Sequence, residues 1–374
     1  MNFEFSSDER QLSDAVGKWV ERDYGFERRA RIAASDGYSH DAYAEMAALG
    51  LTGLFVPESL GGLGMGAVDA MIVCEQLGRG LVIEPLHQTL IASALLARRT
   101  DDKVLCDWAE RLAAGEALLV LATTEAGKRD PLAMPRVSAT LKGETYRISG
   151  KKSLVPFGEH AEGFVVSANF DGKCALFLVP VDSEKVNVNG YATQDGGRAA
   201  EVEFSGAQAH PICLDGAAEL EYAIDVGIAA LCAEAVGIME KAVDVTVEYL
   251  KTRKQFGVAL ASFQVLRHRA ADMKIQLELA RSMSYYASLK LSQPRDARRR
   301  AISRAKYQVG QSARFVGQEA VQLHGGIGLT DEYVVGHYFK RLTQIELTFG
   351  DSMYHLGQVA DHMEDVAEVF DRAG

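Results

Sequence analysis

The sequence has little of what would mark a disulfide-stapled, metal-binding or nucleic-acid-binding chain. Its 374 residues include five cysteines, and no two of them have CxxC spacing. This odd count without paired spacing argues against a disulfide framework or a zinc site, so no metal is expected and a reducing compartment fits better. Acidic residues (51) outnumber basic ones (40), the net charge is −11, and there is no long Lys/Arg run. We therefore expect neither a nucleic-acid partner nor a polybasic membrane surface.

Long apolar runs are also missing. No stretch of about 18 uninterrupted apolar residues is found, so no membrane-spanning helix is expected. The opening residues MNFEFSSDERQL are acidic and polar and lack the apolar core of a signal peptide. Hydrophobic residues make up 48% and charged residues 24%. This balance is ordinary for globular proteins, so we expect a soluble, cytoplasmic chain of two or three domains.

The pattern of apolar and turn residues divides the chain into three parts. Residues 1–115 favour helices, interrupted by a proline- and glycine-rich loop at 57–64. Residues 116–215 hold short β-type runs between turn residues, which is typical of a small β-barrel or sandwich. Residues 216–374 favour long helices at 220–252, 263–291 and 297–323, and a last one at 351–370. The predicted fold class is α+β, with an N-terminal helical domain, a middle β-domain and a C-terminal helical bundle.

Two segments of the third part carry residue types that bind phosphate. One is Lys251-Thr-Arg-Lys-Gln-Phe-Gly257, which ends a long helix shortly before Gln264 opens the next. The other is Gln322-Leu-His-Gly-Gly-Ile-Gly328. A guanidinium such as that of Arg253 suits phosphate, and a glycine corner lets backbone N–H groups approach a ligand closely. These residues alone support two explanations equally: a phosphate-bearing cofactor, or a surface arginine beside a helix-capping glycine.

With these segments in this order, the chain resembles the acyl-CoA dehydrogenase flavoprotein family over almost its whole length. The resemblance rests on VPESLGGLGMG (56–66), ATTEAGKRD (122–130), EYLKTRKQFGVALASFQVLRHRAADM (248–273) and QLHGGIGLTDEYVVGHYFKRL (322–342). It implies FAD as the cofactor and a C-terminal four-helix bundle. Arg253 would bind the FAD pyrophosphate. The same end of FAD would be lined by Phe256 and Gln264, and its adenosine part would pack against Gln322, Gly325 and Gly326.

The resemblance also implies a reaction and its partners. The reaction is α,β-dehydrogenation of an acyl-CoA thioester, in fatty acid or steroid degradation. A carboxylate removes the α-proton, and the β-hydrogen leaves as a hydride to the flavin. The electron acceptor would be an electron-transfer flavoprotein or oxygen. Because the groups named above reach the FAD of a neighbouring subunit in this family, a monomer could not complete its site.

The family's carboxylate base is missing from both of its usual positions. Ungapped counting from Gly325 places Phe349 where many members carry a glutamate. Gly227 stands where other members carry the base on the long helix. Glu234 lies seven residues beyond Gly227, about two helical turns, and could be a relocated base. The alternative for Glu234 is a helix carboxylate paired with an arginine or a lysine.

Other titratable residues near these positions are weaker candidates. Asp225 and Glu346 could serve as bases, and Asp351 is expected to be a helix N-cap. His324 and His337 lie at or near a tight glycine corner, where a histidine is more often structural than catalytic.

The flavin-facing motifs of the middle domain also depart from the family. Leu154 replaces the tryptophan that covers the flavin, and Pro156 replaces a hydroxyl that contacts it. Proline offers neither a hydroxyl nor an N–H group. The half of the flavin site that a subunit builds for itself is therefore eroded, whereas the half it offers to a neighbour, from Arg253 to Gly328, is intact.

This asymmetry favours one subunit of a heteromeric enzyme. The chain is similar to the small, pimeloyl-CoA dehydrogenase-like subunits of α2β2 acyl-CoA dehydrogenases, notably over TQDGGRAAEVEF (193–204) and residues 230–257. It would complete the FAD site of a catalytic partner acting on an acyl-CoA. Two alternatives remain open: a self-sufficient homotetramer that uses Glu234 as base, and a non-catalytic subunit that binds no flavin and stabilises its partner.

Overall fold

The first third of the chain is helical, as its pattern predicts. The computed structural model describes residues 5–361 and residue 363. The helices of this part are α1 (Ser7–Asp23), α2 (Phe26–Ala34), α3 (His40–Ala48), α4 (Ala67–Arg79), α5 (Leu86–Leu96) and α6 (Lys103–Ala113), and a longer connection with two 3-10 turns lies between α3 and α4. The loop at 57–64 holds Gly61 and Gly64 at positive φ, which glycine adopts without strain.

The middle of the chain is a seven-stranded mixed sheet. Its strands are β1 (Leu119–Ala122), β2 (Ser138–Lys142), β3 (Thr145–Pro156), β4 (Gly163–Phe170), β5 (Lys173–Pro180), β6 (Val186–Ala192) and β7 (Arg198–Cys213). Strand pairing runs from β4 through β2, β3, β7 and β5 back to β4, so five strands close a ring. The 16-residue β7 makes this possible because it pairs with β3, β5 and β6. The ring corresponds to the barrel, one of the two architectures (barrel or sandwich) predicted for this part of the chain.

The last part of the chain returns to helices. The long helices are α7 (Ala217–Thr252), α8 (Gln264–Lys290) and α9 (Arg295–His324), followed by α10 (Val334–Leu347) and α11 (Ser352–Ala360). A two-stranded hairpin, β8 (Lys254–Gln255) and β9 (Val258–Ala259), lies between α7 and α8. The sequence predicts the last helix at 351–370. In the structure it begins at Ser352, within one residue of the prediction, and ends at Ala360. Residues 362 and 364–370 of that prediction lie outside the described residues.

By its internal contacts the chain forms two compact units. One holds the described residues up to Phe26, Met71–Val82 and those from Ile228 onward; the other holds Glu27–Ala70 and Ile83–Gly227. The divisions near residues 115 and 215 that the sequence suggests stay a prediction.

Helix α7 is long, apolar and mostly buried. In the described residues it is the one helix long and apolar enough to cross a membrane. Because 89% of its apolar stretch is buried inside the protein, α7 also fits a core helix.

Two glycines let helices α4 and α7 approach to backbone contact. A Cβ built on Gly78 would lie 2.1 Å from the carbonyl oxygen of Glu234. A Cβ built on Gly237 would lie 1.9 Å from the carbonyl oxygen of Glu75. Both distances are far below van der Waals contact, so this crossing tolerates no side chain at either position.

Candidate functional site

The corner between α7 and α8 is shaped by the hairpin β8–β9. Helix α7 ends at Thr252, and Arg253 follows directly. The hairpin turn consists of Phe256 (φ 54°) and Gly257 (φ 81°), which is the two-residue pattern that matches strand twist. Phe256 occupies a conformation that side chains other than glycine rarely adopt, and it is 90% exposed. Its ring meets Phe263 edge-on, with 6.3 Å between centroids.

Next to this hairpin lies a cavity of about 570 Å³. Four of the six predicted cofactor residues line it: Arg253, Gln322, Gly325 and Gly326. The other two do not. Phe256 lies at the exposed hairpin tip, and Gln264 is the exposed first residue of α8. The remaining lining residues are Tyr249, Gln255, Leu260, Leu266, Arg269, Leu323, His324 and Ile327.

The cavity contains one arginine whose charge has no partner among the described residues. The Arg269 guanidinium binds both carboxylate oxygens of Glu319, at 2.5 and 2.9 Å, so its charge is largely neutralised. The exposed Arg253 side chain makes no hydrogen bond or ion pair with the part of the chain that the structure describes. Its guanidinium is therefore free for an anionic ligand such as a phosphate.

The glycine corner leaves the cavity wall open. Gly325 ends α9 with φ 62° and ψ −139°, a conformation that essentially requires glycine. A Cβ at Gly325 or Gly326 would meet no atom within 4 Å. These two glycines therefore present bare backbone to the cavity, and a ligand can approach them closely.

A buried histidine completes the wall. His324 is 3% exposed, and its Nδ1 lies 2.8 Å from the carbonyl oxygen of Ala320. Its ring stacks on Tyr249 (4.4 Å, 30°) and lies tilted against Tyr333 (5.2 Å). Burial lowers the pKa of His324, so the ring is neutral at pH 7. Its Nε2 has no hydrogen-bond partner among the described residues.

The cavity fits the adenosine diphosphate half of a dinucleotide. It offers an unpaired guanidinium, bare glycine backbone, an unpartnered buried acceptor at His324 and apolar side chains from Leu323 and Ile327. The guanidinium and the glycine backbone suit a diphosphate, and the buried acceptor and the apolar side chains suit a nucleoside. By contrast, the described residues hold no group of three or more His, Cys, Asp or Glu side chains arranged for a metal.

The proposed base Glu234 is engaged in an ion pair. Both of its carboxylate oxygens accept hydrogen bonds from Arg341, at 2.6 and 2.9 Å, and its side chain is 12% exposed. This two-pronged contact corresponds to the alternative considered for Glu234, a helix carboxylate paired with arginine. The catalytic role of Glu234 stays a prediction.

The segment that carries the base in much of the family is held rigidly here. Phe349 has φ 58°, and its carbonyl oxygen accepts a hydrogen bond from the buried His355 at 3.1 Å. The Nζ of buried Lys306 donates to the last carbonyl groups of α10, including that of Glu346 at 2.9 Å. A phenyl ring on this fixed backbone has no proton acceptor to offer.

The weaker base candidates have structural contacts. The Glu346 side chain accepts a hydrogen bond from the N–H of Ser352 at 3.0 Å, at the start of α11. Asp351 caps α11 by accepting from the N–H of Tyr354 at 2.8 Å, as predicted. Asp225 is fully buried within α7. His337 contacts the carbonyl oxygen of Asp331 at 2.9 Å.

The middle sheet keeps a buried scaffold that the sequence did not reveal. Lys152 is fully buried and donates to Glu125 (2.8 Å), the Ser167 hydroxyl (3.1 Å) and the carbonyl oxygen of Thr123 (3.2 Å). Glu125 also pairs with Lys128 at 2.8 Å. Burial alone would raise the pKa of Glu125, but hydrogen bonds from Lys128 and Lys152 hold it at about 2.

Leu154 and Pro156, which depart from the family pattern, lie on the same strand β3 as Lys152. Leu154 sits at an irregularity in the β3–β7 pairing with φ 51° and is 55% exposed. Pro156 pairs with Ala199 at the end of β3. The side chain that this irregularity exposes is a leucine.

Sequence reasoning missed Tyr249, His324 and the Lys152–Glu125 pair as parts of these sites. Tyr249 precedes Arg253 by four residues on α7, so helical spacing alone could have found it. His324 stands inside the quoted glycine motif. The Lys152–Glu125 pair joins residues 27 apart across a sheet, and no local pattern signals it.

Comparisons with known proteins cover both ends of the chain. Residues 6–116 match the family model described as acyl-CoA dehydrogenase, N-terminal domain, and residues 215–364 match acyl-CoA dehydrogenase, C-terminal domain. Acyl-CoA dehydrogenase FadE27 of Mycobacterium tuberculosis is 25% identical over 339 residues, which cover 88% of this chain and 89% of that protein.

Two solved structures are similar throughout. A variant of the steroid ACAD Tcur3481–Tcur3483 is 27% identical with a TM-score of 0.89, covering 96% of this chain and 99% of that one. A chain of the ChsE4–ChsE5 complex from Mycobacterium tuberculosis is 25% identical with a TM-score of 0.88, covering 97% and 99%.

Proposed function

Because the chain belongs to the FAD-dependent acyl-CoA dehydrogenase family, we propose that it is the small subunit of an α2β2 acyl-CoA dehydrogenase and completes the FAD site of a catalytic partner. The reaction is α,β-dehydrogenation of an acyl-CoA thioester. One contrast carries this proposal. Four of the six predicted cofactor residues, Arg253 among them, line one cavity, whereas Phe349 and Gly227 stand at the two positions where the family resemblance implies a base.

The cavity supplies the groups that a partner's FAD requires. Arg253 would hold the diphosphate, since its guanidinium has no other partner among the described residues. The bare backbone of Gly325 and Gly326, together with Gln322, would lie against the adenosine half. When bound, FAD supplies the hydride acceptor of the reaction. This chain's own part is to bind and orient the cofactor.

The exposed hairpin supports a role at a subunit boundary. Phe256 is 90% exposed in a strained conformation, and Val258 (43%) and Leu329 (77%) are exposed apolar residues on neighbouring segments. Large apolar side chains displayed in this way mark interaction surfaces. Both similar structures reported above carry names that join two chains, Tcur3481–Tcur3483 and ChsE4–ChsE5.

The Glu234–Arg341 ion pair favours this proposal over a self-sufficient homotetramer. A general base needs a lone pair that can reach the substrate's α-proton. Both oxygens of Glu234 accept hydrogen bonds from Arg341, so the carboxylate would have to leave this pair to reach a substrate.

The visible spectrum of the purified protein tests the proposal. The chain is purified alone and together with a co-expressed relative that carries the complete flavin-facing motif and the glutamate base. We expect no flavin bands from the chain alone, and about one FAD per heterodimer in the complex, bleached by an acyl-CoA. Flavin near one per chain in the isolated protein, bleached by substrate, would contradict the proposal and favour the homotetramer. A complex whose FAD content does not depend on this chain would favour the purely stabilising subunit.

A further inference from the structure

The wall of the cavity contains a buried hydrogen-bond acceptor without a partner. His324 lies at the last residue of α9, immediately before the glycine corner, and lines the cavity together with Arg253. It is packed between the rings of Tyr249 and Tyr333. This packing fixes the plane of the imidazole.

The hydrogen bond at the other nitrogen determines the chemistry of Nε2. The carbonyl oxygen of Ala320 can only accept, so Nδ1 must carry the proton that it donates. Because the buried ring is neutral, Nε2 then carries a lone pair and no proton. Nε2 can therefore accept a hydrogen bond but cannot donate one.

The absence of a partner at Nε2 is unusual for a buried imidazole. His355, which is fully buried, has contacts at both nitrogens, with Ser303 at 3.3 Å and with Phe349 at 3.1 Å. Nε2 of His324 has none among the described residues and is shielded from solvent. Most buried polar atoms are satisfied, and an exception calls for an explanation such as an ordered water, an ion or a functional role.

We propose that His324 recognises the adenosine end of the dinucleotide by accepting, at Nε2, a hydrogen bond from the adenine amino group or a ribose hydroxyl. This inference rests on the proposed function and names a specificity-determining residue for it. If Arg253 holds the diphosphate in this cavity, the neighbouring nucleoside is the ligand part that carries neutral donors. Gly325 and Gly326, which follow His324 directly, carry no side chains, and a Cβ at either would meet no atom within 4 Å.

Competition by nucleotide analogues tests the inference. The probes are ADP, purine riboside diphosphate (which lacks the amino group), 2′-deoxy-ADP and 3′-deoxy-ADP. Each displaces FAD from the complex of this chain with its flavin-holding partner, and the release of flavin is followed by fluorescence. We expect one analogue to bind about tenfold more weakly than ADP, the loss typical of one buried hydrogen bond. Equal affinity for all four diphosphates would overturn the inference.

Substitutions assign the preference to His324. His324→Phe retains an aromatic ring between the two tyrosines but removes the acceptor, so ADP and the weak analogue should bind equally. His324→Gln restores an acceptor and should recover part of the preference. Tyr333→Phe, the matched control, keeps the neighbouring ring and should leave the preference unchanged. A His324→Phe protein that keeps the full preference overturns the inference. If His324→Phe does not fold, the inference is still tested by the four diphosphates on the wild-type complex and by the preference of His324→Gln.

Two further outcomes separate this inference from the proposed function. Coenzyme A also carries an adenosine diphosphate, so displacement of coenzyme A but not FAD by ADP would overturn the assignment to FAD. A complex that holds no FAD contradicts the proposed function itself. A complex that holds FAD without any donor preference contradicts only the role of His324.

Discussion

The backbone contact between α4 and α7 allows a quantitative prediction for Gly237→Ala. The new Cβ would lie 1.9 Å from the carbonyl oxygen of Glu75 and 2.9 Å from the backbone nitrogen of Arg79. Real Cβ atoms essentially never approach below 3.0 Å. Since both nearest atoms belong to backbone, no side-chain rotation can relieve the clash, and the helices must separate by about 1 Å.

The cost of this separation follows from packing. A gap of about 1 Å forfeits up to half of the dispersion attraction at the crossing. We expect a loss of about 3 kcal/mol, the upper end for overpacked cores. The midpoint of thermal unfolding should fall on the order of 5–10 °C, as followed by circular dichroism.

Gly357→Ala is the matched control for this experiment. Gly357 is an exposed residue of α11, and a Cβ there meets nothing within 4 Å. The same substitution should therefore stabilise the protein slightly, by about 0.5–1 kcal/mol, because alanine favours a helix. Gly78→Ala should destabilise the protein as Gly237→Ala does. The double variant should lose less stability than the two single variants together, because one separation of the helices relieves both clashes. A Gly237→Ala midpoint within 1–2 °C (roughly the effect of half a kcal/mol) of wild type would refute the reasoning.

Substitutions at three further residues test the proposed cofactor contact, the candidate base and the buried ion pair of the sheet. Arg253→Ala should weaken FAD binding by the assembled complex about 10- to 100-fold in a flavin titration, because a charge-assisted contact with the diphosphate is lost; Arg253→Lys should recover part of it, and unchanged affinity would remove Arg253 from the site. Glu234→Gln should barely change steady-state turnover of the complex, whereas a drop of several orders of magnitude would identify Glu234 as the base. Hydrogen bonds hold the pKa of Glu125 at about 2, below its ordinary 4.5, so its ionised form stabilises the fold above about pH 4.5 and this contribution is lost as the pH falls towards 2. Denaturant unfolding of Glu125→Gln should show a weaker loss of stability across that window than wild type; identical curves would contradict the assignment.

Elements with a strong local pattern were predictable from the sequence. The long helices α7, α8 and α9 were found within three residues of their ends because apolar periodicity and turn residues bound them. Strand β2 (Ser138–Lys142) and helix α10 (Val334–Leu347) were not identified. Four of the five residues of β2 are not buried, so the strand lacks the apolar signal that marks its neighbours.

Only the site residues that stand within short sequence motifs could be predicted. Arg253 and the glycine corner stand within short, recognisable segments. The partner of Glu234 was not predictable, since Arg341 lies 107 residues away and any of the 40 basic residues could have been chosen. The unpartnered state of His324 depends on what surrounds its ring in three dimensions, and that information is not local in sequence.

The exposed hairpin of Phe256 has a consequence for how the cell must make this protein. If the proposed partner covers this surface, a chain synthesised without it would display Phe256, Val258 and Leu329 to every other protein it meets. Exposed apolar side chains of this kind promote aggregation and attract chaperones and proteases. The level of the chain in the cell should therefore follow the level of its partner, and balanced synthesis of the two would be a condition for its survival.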